Sequence, residues 1–296
     1  MKACMGHAWL IVCLSVGIFS QIWGKGTMAF PEADANRADS DKPLVVMLHG
    51  IAKGRLDMYA MGRYLQRDGF QVVNYNYAST SDTLEIISDK LAEDLRPYAD
   101  RKLHFVTHSM GGIVVRTYFN RHFPKNVERF VMIAPPNQGA ELADFLGNVG
   151  VYQWFFGPAG QQLRRGEMGA CLSAGSPTCE FGIIAGGTGK RFGLNPLLPG
   201  DNDGTVTVDS TRLDGEKDFV LLPYPHPFIQ MMPRTGAQVL HFLTHGSFNH
   251  KGATEAKFED EIPAVLVDEN GEAVGVDTKP GEHAGRNNYV PEFGAQ

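Results

Sequence analysis

The sequence lacks a basic stripe, a collagen period and an internal repeat, and each absence excludes a class of protein. Its 27 Lys and Arg against 33 Asp and Glu give a formal net charge of −6, and no stripe of basic residues is present that would bind a nucleic-acid backbone. We therefore expect no nucleic-acid partner. The 34 glycines follow no Gly-X-Y period, which excludes collagen, and 43% hydrophobic against 20% charged residues excludes a disordered chain. The 296 residues suffice for two average domains or one large α/β domain with insertions.

The N-terminal apolar run is too short to cross a membrane. Residues 8–19 follow Lys2 and are twelve in number, short of the roughly 20 that span a bilayer but suited to the core of a signal peptide. Small residues at 27–29 or 33–35 supply a cleavage site. We predict a signal peptide over residues 1–29 and an exported protein, secreted or periplasmic. The alternative is an uncleaved anchor that holds the protein on a membrane.

Cysteine is scarce, with four in the chain. Cys4 and Cys13 lie in the predicted leader, whereas Cys171 and Cys179 enclose a turn-rich loop. In an exported protein this second pair favours a disulfide, which for so short a loop stabilises the fold by about 2–3 kcal/mol. In a reducing compartment the two would be ordinary thiols. No second Cys/His pair accompanies them, so the spacing does not support a metal site.

The C-terminal residues 254–296 differ in composition from the rest of the chain. Ten acidic residues stand there against three basic ones, and the preceding part is nearly neutral. Apolar residues alternate on both sides of Asn270-Gly271, which is a hairpin signal. We therefore treat 254–296 as a separate acidic tail with a possible β-hairpin, and assign it no function.

Between the leader and the tail, the chain alternates predicted strands and helices. Continuous apolar runs predict strands at 44–48, 70–77, 103–107, 127–133, 180–185 and 218–222. Helical spacing predicts helices at 57–68, 83–98, 111–123 and 235–248. This order predicts an α/β fold with an open, mostly parallel sheet of about six strands, flanked by helices. Active sites in such sheets lie at the carboxyl ends of the strands.

Residues 138–179 interrupt this alternation. A stretch of that length is usually functional or disordered, and its aromatic cluster argues against disorder. We interpret it as a cap over the site, inserted into a catalytic domain at 30–253. Trp154, Phe155 and Phe156 are candidate substrate-binding residues in the cap, although plain core packing explains such a cluster equally well.

Residues 106–112, with Ser109 at their centre, carry the strongest motif. They follow a predicted strand and open a helix, which is the context of a nucleophile elbow, and glycines stand where a side chain would crowd the turn. Here the chain resembles the α/β-hydrolase superfamily, specifically bacterial lipases and esterases, over residues 42–248. Thr107 stands where these proteins usually have the first glycine of the motif.

The resemblance implies a triad in the chain order serine, acid, histidine. Residues 200–206 resemble the acid loop of lipases, in which Asp203 matches the catalytic acid; Asp201 is the fallback. The Asp-x-Asp pattern also opens EF-hand calcium loops. Because Arg212 stands at the twelfth position from Asp201 instead of glutamate, that alternative fails.

His226 matches the family's catalytic histidine, since it lies just past the last predicted strand and before the last helix. His241 and His245 stand four residues apart in that helix and could bind zinc together. Phe242 occupies the position of the glutamate in the His-Glu-x-x-His motif, so we expect no metal site there. His108, next to Ser109, is interpreted as structural.

The residues after two predicted strands supply the expected oxyanion hole. In lipases the residue after a His-Gly pair gives one backbone N–H and the residue after the nucleophile gives the other. Here these are Ile51 and Met110. Each such donor lowers the barrier by about 3 kcal/mol.

The resemblance therefore implies a serine hydrolase that cleaves carboxylic esters, a lipase or carboxylesterase, through an acyl-enzyme. An acyltransferase, amidase or thioesterase on the same fold is the alternative, because only the substrate pocket separates these activities. A non-catalytic binding protein of the same fold is less favoured, since all three triad residue types are present. No cofactor is implied. The expected partner is a lipid or small ester, with transient contact with a lipid surface, and the oligomeric state stays open.

Overall fold

The structure is a computed structural model that describes residues 42–140, 157–164, 170–251, 264–267 and 273–277. Within this part the chain forms the following strands: β1 (Leu44–Leu48), β2 (Gln71–Tyr75), β3 (Leu103–His108), β4 (Val127–Ile133), β5 (Glu180–Gly186), β6 (Asp218–Leu222), β7 (Ala264–Val267) and β8 (Ala273–Asp277). The described α-helices include α1 (Tyr59–Arg67), α2 (Leu84–Leu95), α3 (Met110–His122), α4 (Ala170–Ser173), α5 (Val208–Thr211) and α6 (Pro233–His245). Residues 157–162 are also helical.

Six of the described strands form one parallel sheet in the order β2-β1-β3-β4-β5-β6. The predicted α/β class and the open sheet of about six strands are therefore confirmed. The direction of strand order reverses between β1 and β3, since β2 lies on one side of β1 and all later strands lie on the other. Ligands of open α/β sheets bind at such a switch point, beyond the carboxyl ends of the strands.

Helices cover both faces of this sheet. Every residue of β1 is buried, and because side chains of a strand alternate between faces, its residues divide between two apolar clusters. Val46 packs in the cluster that contains the apolar residues of α2 and α3. Met47 packs in the cluster that contains those of α1 and α6. This double coverage explains why the strands appear in the sequence as continuous apolar runs.

Local sequence explains where several helices begin and end. The hydroxyl of Thr83 accepts a hydrogen bond from the N–H of Ile86 and caps α2. α6 starts with Pro233, whose missing N–H is not needed in a first turn, and stops at Gly246 with φ of 74°. Short 3-10 helices over Arg55–Met58 and Ile229–Met231 flank the site described below.

Cys171 and Cys179 are separate thiols in the structure, so the disulfide expected of an exported chain is not formed here. Burial raises the pKa of Cys179 to about 12, which keeps this thiol protonated and unreactive. In the tail, β7 and β8 pair antiparallel, as the Asn-Gly pattern indicates. The predicted leader at 1–29 lies outside the described residues. Among the helices that are described, none is long and apolar enough to cross a membrane.

Candidate active site

Ser109 occupies the tight turn between β3 and α3. The strand ends at His108 and the helix begins at Met110. Ser109 itself has φ of 52° and ψ of −125°, a strained conformation for a residue with a side chain. It is also 7% exposed. The strand–turn–helix context that the sequence predicts around this serine is therefore present.

Two glycines follow the serine where the chain packs closely: the position of Gly111 has no room for a Cβ, and that of Gly112 has little. A Cβ at Gly111 would lie 2.8 Å from the carbonyl oxygens of both Leu48 and His49. A Cβ at Gly112 would lie 3.4 Å from Oγ1 of Thr107. The fully buried Thr107 therefore fits where related motifs have glycine because Gly112 leaves space beside it.

The structure brings Ser109, His226 and Asp203 together, as predicted from three separate parts of the chain. Oγ of Ser109 lies 3.0 Å from Nε2 of His226. Nδ1 of the same ring lies 2.6 Å from Oδ2 of Asp203. Asp203 is 1% exposed and His226 8%, so both hydrogen bonds are largely shielded from water. The arrangement allows the histidine to take the proton of the hydroxyl while the carboxylate orients the ring.

Backbone groups hold Asp203 in place. Its Oδ1 accepts hydrogen bonds from the N–H groups of Thr205 (3.0 Å) and Val206 (2.8 Å), which leaves Oδ2 for the histidine. Its carbonyl accepts the N–H of His226 at 2.9 Å. A Cβ at Gly186, the last residue of β5, would come within 2.7 Å of the Asp203 Cβ, so the strand end passes directly beneath the acid.

Asp201, the fallback acid, has a different role. Its Oδ1 accepts the N–H of Thr188 at 2.8 Å and that of Asn202 at 3.0 Å. Its Oδ2 accepts the N–H of Gly189 at 2.8 Å. These bonds tie together the loop after β5 and use both carboxylate oxygens of Asp201, whereas the ring of His226 contacts Asp203.

The N–H groups of Ile51 and Met110 lie at the ends of β1 and β3, where an oxyanion hole is expected. Within the described part of the chain, neither N–H donates to a protein acceptor. Nδ1 of His49 donates to the carbonyl of Gly50 at 2.8 Å. Since the C=O and the following N–H of a trans peptide point in opposite directions, this bond directs the N–H of Ile51 away from His49.

Tyr77 supports this loop from the segment after β2. Its ring stacks on that of His49, with centroids 4.3 Å apart, and its hydroxyl donates to the His49 carbonyl. Burial raises the pKa of Tyr77, which keeps the hydroxyl proton in place. Burial also lowers the pKa of His49, which keeps that ring neutral.

A second acid–histidine contact lies behind the triad, and sequence analysis did not predict it. Nδ1 of His108 lies 3.2 Å from Oδ2 of Asp57, and Nε2 of His108 lies 3.1 Å from the backbone carbonyl of His226. The only signal in the sequence was the position of His108 beside Ser109, because Asp57 reads as an ordinary acid at a helix start.

The remaining predicted residues lie elsewhere or outside the described part. His241 and His245 have ring centroids 4.4 Å apart on α6, and Nδ1 of each contacts a backbone carbonyl. Among the described residues, no group of three or more His, Cys, Asp or Glu is placed to hold a metal ion. Trp154, Phe155 and Phe156 lie outside the described residues.

The family comparison agrees with this architecture. A family model described as the alpha/beta hydrolase fold matches residues 43–157. That stretch contains β1 to β4 together with the turn that carries Ser109. A search of curated proteins finds no match to the sequence.

Solved structures with the same fold include lipases and a phospholipase. The mature form of a Bacillus licheniformis lipase superposes with a TM-score of 0.55 at 22% identity, over 69% of this chain and 91% of its own. Lipase B from Aspergillus fumigatus gives 0.51 at 15% identity, over 71% and 55%. Phospholipase PlaB from Legionella pneumophila gives 0.50 at 19%, over 69% and 57%. At these identities the likeness shows the fold alone: the chain has the α/β-hydrolase fold.

Proposed function

We propose that this protein is a serine hydrolase that cleaves carboxylic esters. One observation carries the proposal: Oγ of Ser109, on a strained strand-to-helix turn, lies 3.0 Å from Nε2 of His226. The other nitrogen of that ring lies 2.6 Å from Asp203. A hydroxyl, a base within hydrogen-bond reach and an acid that orients the base are the parts of an acyl-transfer site.

In the first half of the reaction, Ser109 attacks the ester carbonyl as Nε2 of His226 accepts the hydroxyl proton. The tetrahedral intermediate places its oxyanion near the N–H groups of Ile51 and Met110. Because Met110 opens α3, the helix N-terminus adds positive potential at the same point. Collapse breaks the bond to the alcohol, which leaves with the proton from His226, and an acyl-serine remains.

In the second half, water replaces the alcohol. His226 takes a proton from the water as its oxygen attacks the acyl-serine carbonyl, and the same two N–H groups hold the second oxyanion. Collapse breaks the bond to Oγ, His226 returns the proton to Ser109, and the carboxylic acid leaves. Asp203 orients the imidazolium in both halves and compensates its charge.

We propose a lipid or a small ester as the substrate, with transient contact with a lipid surface. Lipases and a phospholipase share the fold, which supports this class of substrate without showing it. Phe192 and Leu197, in the loop between β5 and α5, are 69% and 80% exposed and offer apolar contact to such a surface. Trp154, Phe155 and Phe156 stay the proposed acyl-binding residues.

The experiment is hydrolysis of p-nitrophenyl acetate, butyrate and palmitate by the purified protein, its Ser109→Ala variant and a Ser88→Ala control. Ser88 is fully buried on α2 and outside the site, so its variant tests for a general effect of removing a serine hydroxyl. A fluorophosphonate probe, which loses fluoride as it bonds to the serine oxygen, is applied in parallel. We expect activity and labelling to vanish in Ser109→Ala alone, and the chain-length preference to separate esterase from lipase.

Two results would contradict the proposal. Labelling of Ser109 without turnover of any ester would argue against ester substrates. Activity that survives Ser109→Ala and is lost with a chelator would argue against a serine nucleophile altogether.

We also propose that the protein is exported, on the pattern of residues 1–29. Expression of the whole chain in a bacterial host, followed by fractionation and intact-mass measurement, tests this. A mature chain that lacks about the first 29 residues, found outside the cytoplasm, is the expected result. A full-length chain in the membrane fraction would favour the anchor instead.

A further inference from the structure

The backbone of the base is held from behind by a buried histidine. His108 is 1% exposed and lies between a carboxylate and a carbonyl, with Nδ1 3.2 Å from Oδ2 of Asp57 and Nε2 3.1 Å from the carbonyl oxygen of His226. A carbonyl oxygen only accepts, so Nε2 of His108 must carry the hydrogen in this contact. The contact joins the end of β3, next to the nucleophile, to the loop that carries the base.

The same carboxylate also organises the next carbonyl along the chain. Oδ1 of Asp57 accepts hydrogen bonds from Nζ of Lys53 and Nε2 of Gln230, both at 2.7 Å. Nε2 of Gln230 donates to the carbonyl of Pro227 at 3.0 Å, and Nζ of Lys53 reaches that carbonyl at 3.5 Å. Asp57 therefore orders the groups that hold two successive carbonyls, those of His226 and Pro227.

Charge supports this arrangement. Burial alone would raise the pKa of Asp57, but Lys53 and His108 more than offset burial and hold that pKa below its ordinary value. Asp57 is therefore ionised and accepts hydrogen bonds on both oxygens. Burial lowers the pKa of His108, while the contact with Asp57 opposes that shift. Both ring nitrogens of His108 face acceptors, so the two contacts are hydrogen bonds at the same time only when the ring carries both hydrogens, and the carboxylate favours that protonated form against burial.

The position of His226 is what this network controls. Nε2 of His226 must stay within hydrogen-bond reach of Ser109 for proton transfer, and a displacement of about 1 Å can lower a rate about a hundredfold. His226 stands on a loop, whereas His108 is the last residue of the central strand β3 and Asp57 lies in the 3-10 helix after β1. The loop is thus tied at the His226 carbonyl to the end of β3 and at the Pro227 carbonyl to groups that Asp57 holds, which limits how far the His226 side chain can move.

We propose that Asp57 and His108 are positioning residues for His226, acting through the carbonyls of His226 and Pro227. The inference rests on the proposed function, in which His226 is the base. In this proposal His108 affects turnover without contacting the substrate. Asp57 holds the side chains of His108, Lys53 and Gln230 in position.

The experiment compares His108→Ala and His108→Gln with a matched control, His104→Gln. His104 is also a buried histidine of β3, 3% exposed, but it contacts Glu128 at 3.7 Å and no residue of the site. We expect His108→Ala to lower kcat for a p-nitrophenyl ester about 10- to 100-fold with KM within about twofold. His108→Gln should recover part of the loss, because its amide N–H can still donate to the His226 carbonyl. His104→Gln should keep the wild-type kcat.

A second measurement does not depend on turnover. The proton between Nδ1 of His226 and Asp203 should give a low-field NMR resonance, since that hydrogen bond is only 2.6 Å long. We expect the resonance to persist in His104→Gln and to shift or broaden in His108→Ala. If no ester is hydrolysed but the resonance responds in this way, the proposed function fails and the positioning role stands.

Asp57→Asn serves if His108→Ala does not fold, because the amide has the shape of the carboxylate without its charge. It should lower kcat about tenfold, again with little change in KM. The inference is overturned if kcat of the folded His108 or Asp57 variants stays within about twofold of wild type. It is equally overturned if only KM changes, or if His104→Gln loses as much as His108→Ala.

Discussion

Two acid–histidine pairs lie at one end of the sheet, and they differ in the third group that each histidine contacts. The pair of Asp203 and His226 ends on the hydroxyl of Ser109. The pair of Asp57 and His108 ends on a backbone carbonyl. A hydroxyl carries a proton that it can transfer, whereas a carbonyl oxygen carries none and can only accept hydrogen bonds. In the proposed function, the same two residue types therefore support proton transfer in one place and the position of a loop in the other.

Exposure of the two pairs follows the same division. His226 is 8% exposed and Ser109 7%, so each keeps a small part of its surface, whereas His108 at 1% keeps almost none. Contact lengths differ as well: the acid and the histidine are 2.6 Å apart in the first pair and 3.2 Å in the second. A short contact suits a histidine whose ring must gain and lose charge, as proposed for the first pair. The histidine of the second pair contacts groups that do not react.

Removal of each acid charge should give the largest contrast between the pairs. Asp203→Asn should lower kcat about 10⁴-fold, because the amide favours the wrong tautomer of His226, while Asp57→Asn should lower it about tenfold. Steady-state kinetics with one p-nitrophenyl ester measures both. Equal losses in the two variants would mean that both pairs act on the reacting proton, which would contradict a purely positioning role for Asp57 and His108.

Crowding the turn that carries Ser109 should have the next largest effect. Gly111→Ala forces β1 and α3 apart, because the new Cβ would lie 2.8 Å from two backbone oxygens of the β1 end. We expect kcat to fall about 100-fold as the two oxyanion donors separate, and the free energy of unfolding to fall by about 1–3 kcal/mol.

Gly54→Ala is the matched control for this substitution. Gly54 lies in the loop after β1 with extended backbone, and a Cβ there would meet Asn76 at 3.8 Å, an ordinary contact. Its variant should keep kcat and the midpoint of thermal unfolding. A Gly111→Ala variant with wild-type turnover would show that the spacing of the two donors does not control the rate.

A buried histidine without a carboxylate in hydrogen-bond contact should affect only stability. Burial lowers the pKa of His104 to about 4 from its ordinary 6.5, with Glu128 opposing the shift. The unfolded chain therefore takes up a proton on His104 at a higher pH than the folded chain does. This difference leaves the free energy of unfolding unchanged above pH 6.5 and lowers it as the pH falls from 6.5 towards 4. The total decrease is about 3 kcal/mol at most.

The measurement is urea unfolding of wild type and His104→Gln at several pH values between 4 and 7. Stability of the wild type should fall more steeply towards low pH than that of the variant, and the two slopes should agree above pH 6.5, the ordinary pKa of histidine. Parallel curves over the whole range would show that His104 titrates alike in the folded and unfolded chains.

The smallest effect is expected at the histidines of α6. The double variant His241→Gln, His245→Gln should keep kcat within about twofold, and a chelator should change neither protein, because both rings contact backbone carbonyls away from the triad. Activity lost with the chelator in wild type and absent from the variant would instead make this pair a functional metal site.

Sequence patterns were sufficient for the fold and for the turn at Ser109. Continuous apolar runs indicate strands buried on both faces, and the spacing of Gly111 and Gly112 after a strand indicates a turn that excludes side chains. Both signals are local, since each depends on residues within one strand or one turn. For the same reason the β7–β8 pair could be predicted from the Asn-Gly pattern in the sequence, whereas the sequence left Cys171 and Cys179 as a disulfide or as two thiols, and the structure has them as thiols.

Contacts over long separations were decided by the tertiary structure. His108 and Asp57 are 51 residues apart, and His108 and the carbonyl of His226 are 118 apart. They meet because the sheet order places β1 beside β3, and because the loop after the edge strand β6 extends back across the sheet to the ends of these two strands. Chain order alone also left Asp201 and Asp203 as alternatives, and the loop after β5 separated them by giving Asp201 three backbone N–H donors. The three residues of the proposed triad could be predicted from local motifs. The groups that hold the proposed base in place could not, because their contacts join residues that are far apart in the chain.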